Sequence, residues 1–190
     1  MPHIKSFPPI EDSTARILIL GSIPGKESLL AGQYYAHRHN SFWQIMGDLI
    51  AATPTLPYAS RIQILKSNGI ALWDVLASCT RNSSLDSDID KTSASPNNFD
   101  LFLSTHQNIT DIFFNGAMAE KCFYTLVQHM LEPKLLRYTR LPSTSPANAS
   151  LSYNQKLSSW KAVIQIMAQH YHRIIPYESR LQPNCDSGSK

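Results

Sequence analysis

Cysteine is scarce in this chain, and the three present, Cys79, Cys122 and Cys185, are odd in number, far apart and without a C-x-x-C pair. That argues against a disulfide framework, a zinc site and an iron–sulfur cluster, and fits a reducing compartment. No apolar run approaches the roughly 18 residues of a membrane span. The opening MPHIKSFPPIEDS lacks the apolar centre of a signal peptide, so a soluble, intracellular (cytoplasmic) protein is expected. Charge of one sign is not in large excess: a net +3 permits a polyanionic partner without demanding one. There is no solenoid repeat and no low-complexity domain. Nucleotide fingerprints are missing too. GSIPGKES superficially resembles a phosphate loop, but only three residues separate Gly21 from Gly25, and Glu27 stands where a hydroxyl is required. No G-x-G-x-x-G follows any expected strand.

What the chain does have is 190 residues with 43% hydrophobic content and no compositional break, enough for one compact domain. We expect an extended N-terminal stretch over 1–15, a single domain over 16–175 and a mobile polar tail over 176–190. Residues 17–46 organise the rest. Ile17 to Leu20 is too short for a helix and too apolar for a half-exposed strand, so it reads as a strand buried on both faces. Gly21, Pro24 and Gly25 turn the chain at its carboxyl end, the edge where open parallel sheets bind ligands. Phe42, Ile45, Met46, Leu49 and Ile50 then recur at helical spacing from about Ser41 to Ala52.

Farther on, a helix runs up to Gly69, and Ile70 to Leu76 reads as a strand with Asp74 near its carboxyl end. Residues 77–98 show no clear periodicity and are expected to form a partly ordered surface loop. Asn98 can cap a short helix; ITDIFFNG supplies a third strand ending at Asn115 and Gly116. A helix carrying Met118, Cys122, Leu126 and Met130 follows. LLRYTRLPS is a fourth strand, and Leu157, Trp160, Ile164, Met167 and Tyr171 mark a last helix. The alternation implies a three-layer α/β/α sandwich around a central, mainly parallel four-stranded sheet.

GSIPG and PSTSPANAS both follow expected parallel strands, so both should emerge at one edge and share a cleft. Tyr34, Tyr35 and Phe42 offer it aromatic faces, and Asn40 and Asp74 an amide and a carboxylate. That inventory suits a planar polar ring attached to a phosphate backbone. Each residue also has a plainer reading. Asn40 stands where a helix N-cap belongs, Asp74 could cap a turn, and Tyr34 and Tyr35 could be packing aromatics. Asn115 fits a turn residue before Gly116, Ser143, Thr144 and Ser145 between Pro142 and Pro146 a rigid turn, and His37 a structural hydrogen bonder. His39, Arg137, Arg140 and Lys156 read as solvated charges able to add nonspecific DNA affinity.

GSIPG, QYYAHRHNSFW, ALWDVL with SLDSDI, IFFNG and LPSTSPAN occur in order from about Arg16 to Trp160. Together they resemble the uracil-DNA glycosylase superfamily, closest to its hypoxanthine (deoxyinosine) branch. The mismatch-specific uracil branch carries an asparagine where this chain has Ile23. The resemblance implies a glycosylase hydrolysing the N-glycosidic bond of a deaminated base in DNA, with no metal; no cofactor and a monomer are expected. Because no lysine but Lys26 occupies a motif position to supply an amine for strand cleavage, the enzyme is expected to be monofunctional. It places the catalytic asparagine at Asn40, where it would orient the water. Gly21, Ser22 and Ile23 would address water and base through their backbone, Tyr35 would stack on the flipped ring, and Asp74 would read the base edge. Pro142, Ser143, Thr144 and Ser145 would grip DNA, Asn148 would fix that loop, and His37 would reach a phosphate. A uracil-specific enzyme of the same superfamily and a non-catalytic binder of damaged DNA are the alternatives.

Overall fold

The computed structural model describes residues 2–174 except Ser84, Asp86, Ser87 and Pro133, with the side chains of 171–174 also outside the description. The expected tail over 176–190 lies outside the described residues.

The fold is α/β, and its centre is a parallel sheet in the order β3-β2-β6-β7, built from β2 (Ile17–Gly21), β3 (Ile70–Asp74), β6 (Asp111–Asn115) and β7 (Arg137–Leu141). β2 and β3 are buried along their whole length, which explains why they lack the apolar–polar alternation of a one-sided sheet. Successive side chains leave opposite faces. Leu18, Leu20, Ala71, Trp73, Ile112 and Phe114 enter one core with Phe99, Phe102 and Phe123, from α4 (Phe99–Thr105) and α5 (Ala117–Leu126). Ile17, Ile19, Ile70, Leu72 and Phe113 enter a second core. Phe42, Ile45 and Met46 of α2 (Phe42–Ile50), Leu65 of α3 (Tyr58–Ser67) and Trp160 of α6 (Tyr153–Ile174) cover it. Two cores on two faces give the three layers.

Three expectations need correction. Residues 77–98 are not mainly a loop: β4 (Leu76–Arg81) and β5 (Ile89–Pro96) pair antiparallel, with register shifts between Leu76 and Ser78 and between Ser78 and Thr80. The shifts break the two-residue period, and polar rungs such as Thr80 Oγ1 to Ser93 Oγ at 2.8 Å replace apolar ones. The N-terminal stretch is also structured. β1 (His3–Lys5) pairs with β4, and Ile10 exchanges two 2.8 Å backbone bonds with Leu72 of β3. Finally, α5 stops at Leu126; a single 3-10 turn at Gln128–Met130 redirects the chain and leaves Met130 exposed. The loop after β2 also holds a short helix, α1 (Lys26–Ala31), closed by Gly32 in the left-handed region, and Lys26 is exposed on it. The expected cap is present: Leu101 N donates to Asn98 Oδ1 at 3.0 Å.

Candidate active site

The carboxyl ends of β2 and β3 lie side by side, with Gly21 in register with Asp74. A Cβ on Gly21 would overlap Asp74 Oδ1 and come within 2.9 Å of Tyr35 Oη. Glycine therefore stands here because two polar side-chain tips converge over its α-carbon. Asp74 is 3% exposed, and its Oδ2 accepts from Ser6 Oγ at 3.0 Å. The backbone around it is fixed as well: Asn97 Nδ2 donates to the Asp74 carbonyl at 2.8 Å, and Val75 N and Leu76 N donate to the carbonyls of Gly21 and Ser22. Those two carbonyls are thus already engaged on the β3 side, and the Ile23 side chain is buried in the core.

The aromatic pair separates cleanly. Tyr34 is buried, its hydroxyl donates toward the carbonyls of Phe7 (3.3 Å) and Pro8 (3.2 Å), and its own carbonyl accepts from Trp43 Nε1 at 2.8 Å. Burial, reinforced by the Asp74 charge, pushes its phenol far above the ordinary value. Tyr34 is structural. Tyr35 is half-buried at φ 55°, a left-handed backbone that costs a non-glycine residue about 1–2 kcal/mol and persists only where surrounding contacts impose it. Its ring stacks on Phe42 at 4.1 Å between centroids, 26° from parallel, while its hydroxyl leans over Gly21.

Asn40 closes the entry to α2. Its Oδ1 accepts from Phe42 N at 3.0 Å and its backbone N donates to the His37 carbonyl at 2.8 Å. Asn40 is not the cap itself, which is Ser41; its side chain closes an Asx turn onto the first helical N–H, which pins one face of the amide while the side chain stays partly exposed. His37 shapes the preceding turn, with Nδ1 accepting from His39 N at 3.1 Å.

The second loop is docked onto this one. Ser41 N donates to the Thr144 carbonyl at 3.0 Å. Thr144, fully buried, is held reciprocally by Asn115: Thr144 N to Asn115 Oδ1 at 2.8 Å, Asn115 Nδ2 to Thr144 Oγ1 at 2.9 Å. Ser143 packs where a Cβ on Gly116 would sit, at 2.8 Å, and its carbonyl accepts from Asn148 Nδ2 at 3.1 Å. Ser145 Oγ accepts from Ala147 N, and Pro142 O from Trp160 Nε1 at 3.0 Å. Asp74, Gly21, Tyr35, Phe42, Asn40, Ser41 and Thr144 thus form one contiguous arc at the carboxyl edge of the sheet.

Asn115 is more than the turn residue expected, and Ser6 lies in a stretch where no chemistry was foreseen. A polar residue closing a buried strand beside glycine was a usable signal for the first. Nothing local marks the second. Of the expected solvated cations, Lys156 is withdrawn from solvent, whereas Arg140 and Arg137 are exposed as expected but ion-paired. Lys156 is buried, with Nζ donating to the Asn148 carbonyl at 2.8 Å and desolvation lowering its pKa. Arg140 bridges Glu120 at 2.9 Å, and Arg137 bridges Asp111 at the opposite end of the strands. His39 is exposed as expected. Among the described residues no group of three or more His, Cys, Asp or Glu side chains could hold a metal, and no helix is long and apolar enough to cross a membrane.

The family profile of the uracil DNA glycosylase superfamily matches residues 8–166. The chain belongs to that superfamily. Two curated relatives, each named hypoxanthine DNA glycosylase, are similar over most of their length. The protein of Methanosarcina acetivorans is 35% identical over 163 residues, 85% of this chain and 98% of its own. That of Methanosarcina barkeri is 33% identical over 157 residues, 82% and 94%. A Methanosarcina acetivorans protein solved by solution NMR and provisionally assigned as a uracil DNA glycosylase superposes with a TM-score of 0.73 at 33% identity, covering 88% of this chain and 99% of that one.

Proposed function

We propose that this protein is a monofunctional DNA glycosylase that hydrolyses the N-glycosidic bond of deaminated bases in DNA, chiefly hypoxanthine, in base-excision repair. The observation that carries the reading is the joining of the two loops, Ser41 N to Thr144 O, beside the carboxylate and tyrosine that converge over Gly21. The names of the two Methanosarcina relatives support the choice of base.

A stacked base is out of reach, so the nucleotide is extruded into the cleft at a cost of a few kcal/mol, smaller for a mispaired base. Tyr35, supported from behind by Phe42, offers its ring to the extruded base. Asp74 accepts the imino N–H that hypoxanthine presents at N1. As the glycosidic bond lengthens, the sugar gains positive charge and the base negative charge, so fixed donors at the base and an oriented water lower the barrier. Asn40 has no titratable proton near neutrality and is not a general base. Its Oδ1, already aimed by the Phe42 N–H, accepts a hydrogen from the water and turns the oxygen lone pair toward the sugar carbon. The loop over Pro142, Ser143, Thr144 and Ser145, latched by Asn115 and Asn148, holds the backbone of the extruded nucleotide. His37, in the turn that leads to Asn40, contacts a phosphate. Strand cleavage by β-elimination would need an amine at the sugar carbon; the motif lysine, Lys26, is exposed on α1.

Single-turnover cleavage of an oligonucleotide with one central deoxyinosine, revealed by alkali, tests this, with a uracil oligonucleotide in parallel. Asn40→Ala should lower the rate about a hundredfold or more while leaving DNA binding in place. Cleavage at uracil alone would replace the base assignment, a reading the solution NMR relative's provisional name favours. No cleavage of either would leave a binder of damaged DNA.

A further inference from the structure

The N-terminal segment reaches the site at Ser6. Ser6 N donates to the Ala77 carbonyl at 2.8 Å, continuing the β1–β4 ladder, and Ile10 is bridged to Leu72. Between these anchors Phe7 O accepts from both Trp73 Nε1 (3.2 Å) and Tyr34 Oη (3.3 Å). Ser6 and the adjoining Phe7 are therefore gripped from β4, β3 and the first loop at once, and the Ser6 hydroxyl donates to Asp74 Oδ2 at 3.0 Å. A hydroxyl on so constrained a backbone fixes the rotation of the carboxylate it touches. With Oδ2 held, Oδ1 is the oxygen that stands over Gly21 beside the Tyr35 hydroxyl.

We propose that Ser6 is a positioning residue for base recognition: its hydroxyl holds Asp74 Oδ2 so that Oδ1 faces the imino N–H of the extruded base. This rests on the reading of Asp74 as the group that reads the base edge. Hypoxanthine and uracil both present such an N–H, so the Ser6 effect is common to either substrate and survives a change in the preferred base.

The test is a double-mutant cycle on the full chain with Ser6→Ala, Asp74→Ala and the pair, plus Ser6→Thr and the isosteric Asp74→Asn. Each is measured by single-turnover cleavage of deoxyinosine and deoxyuridine oligonucleotides, affinity for the product abasic DNA, inhibition by the free base, and thermal midpoint. Ser6→Ala should lower the maximal rate about tenfold and weaken inhibition by the free base in parallel, with abasic-DNA affinity unchanged. Ser6→Thr, which keeps the hydroxyl, should restore most of the rate. In the Asp74→Ala background Ser6→Ala should cost nothing more. A Ser6→Ala protein as active as the wild type, beside an impaired Asp74→Asn protein, would overturn the role of Ser6 and leave that of Asp74. Wild-type activity in both Asp74 variants would overturn the underlying reading instead. Losses that multiply in the double variant, or a rate that falls only together with thermal midpoint and abasic-DNA affinity, would mean that Ser6 merely supports the fold.

Discussion

At Gly21 a single hydrogen atom does what no side chain could. The Asp74 carboxylate and the Tyr35 hydroxyl occupy the space over its α-carbon; Asp74 is buried with its Oδ2 held by Ser6, and the Tyr35 ring is stacked on Phe42, so neither moves aside freely. Gly21→Ala should therefore keep the fold and spoil the site. Displacing either group by about 1 Å costs roughly a hundredfold in rate where reactants must be held in register. Single-turnover kinetics beside circular dichroism would check this, and near-wild-type cleavage would refute the convergence. Tyr35 and Tyr34 carry the same lesson about legibility. Adjacent in sequence and alike in chemistry, they are separated only by a left-handed backbone at Tyr35 and by a pair of carbonyls waiting for the Tyr34 hydroxyl. Composition cannot distinguish them.

Among elements, the connection between β6 and the loop after β7 governs the second half of the site. Asn115 supplies both bonds that hold Thr144, and Thr144 in turn holds Ser41 at the mouth of α2. Asn115→Ala would strand the buried Thr144 N–H, which costs about 1–3 kcal/mol. The expected result is a lowered thermal midpoint and weaker affinity for abasic DNA, out of proportion to any change in base inhibition; unchanged DNA affinity would contradict the latch. The four parallel strands and most of the helices were legible because burial on both faces writes short apolar runs, and helices write 3.6-residue spacing. β4 and β5 were not, because their middle rungs are serine, threonine and aspartate and their register shifts erase the two-residue period. β1 was hidden for a different reason. Three residues carry no pattern, and its partner lies more than seventy residues away.

Over the whole molecule, the two ends of the parallel sheet do different work. At the amino end Asp111 accepts from Arg137 Nε (2.6 Å) and Nη2 (2.7 Å), from Thr110 Oγ1 (2.8 Å) and from His170 Nε2 (3.1 Å), tying β6, β7 and α6 together. Burial pushes its carboxyl upward, but these bonds outweigh burial and hold its pKa below the ordinary value. A carboxylate with a depressed folded pKa stabilises the protein fully above its unfolded pKa, near 4, and loses that contribution as the pH falls through the folded value. Asp111→Asn should thus cost about 1–3 kcal/mol at neutral pH, the gap to wild type narrowing as the solution is acidified below about pH 4. Denaturant titrations at several pH values would show it; a gap that widened toward acid would reverse the assignment. Cleavage below the melting transition should be unaffected, since this cluster lies at the other end of the strands from Asn40 and Asp74.

The bond from Ser41 to Thr144 joins residues 103 positions apart, and Asp74 waits on a serine at position 6. An active centre sewn from such distant stretches has a history in time as well as in space. A chain still being made, released or truncated before Thr144 possesses the first strand, the tyrosine and the carboxylate, yet lacks the carbonyl that receives Ser41 and the loop that would hold DNA. Competence to cut a base from the genome therefore arrives late, with closure of a loop more than a hundred residues long, and no fragment short of that closure is a partial enzyme.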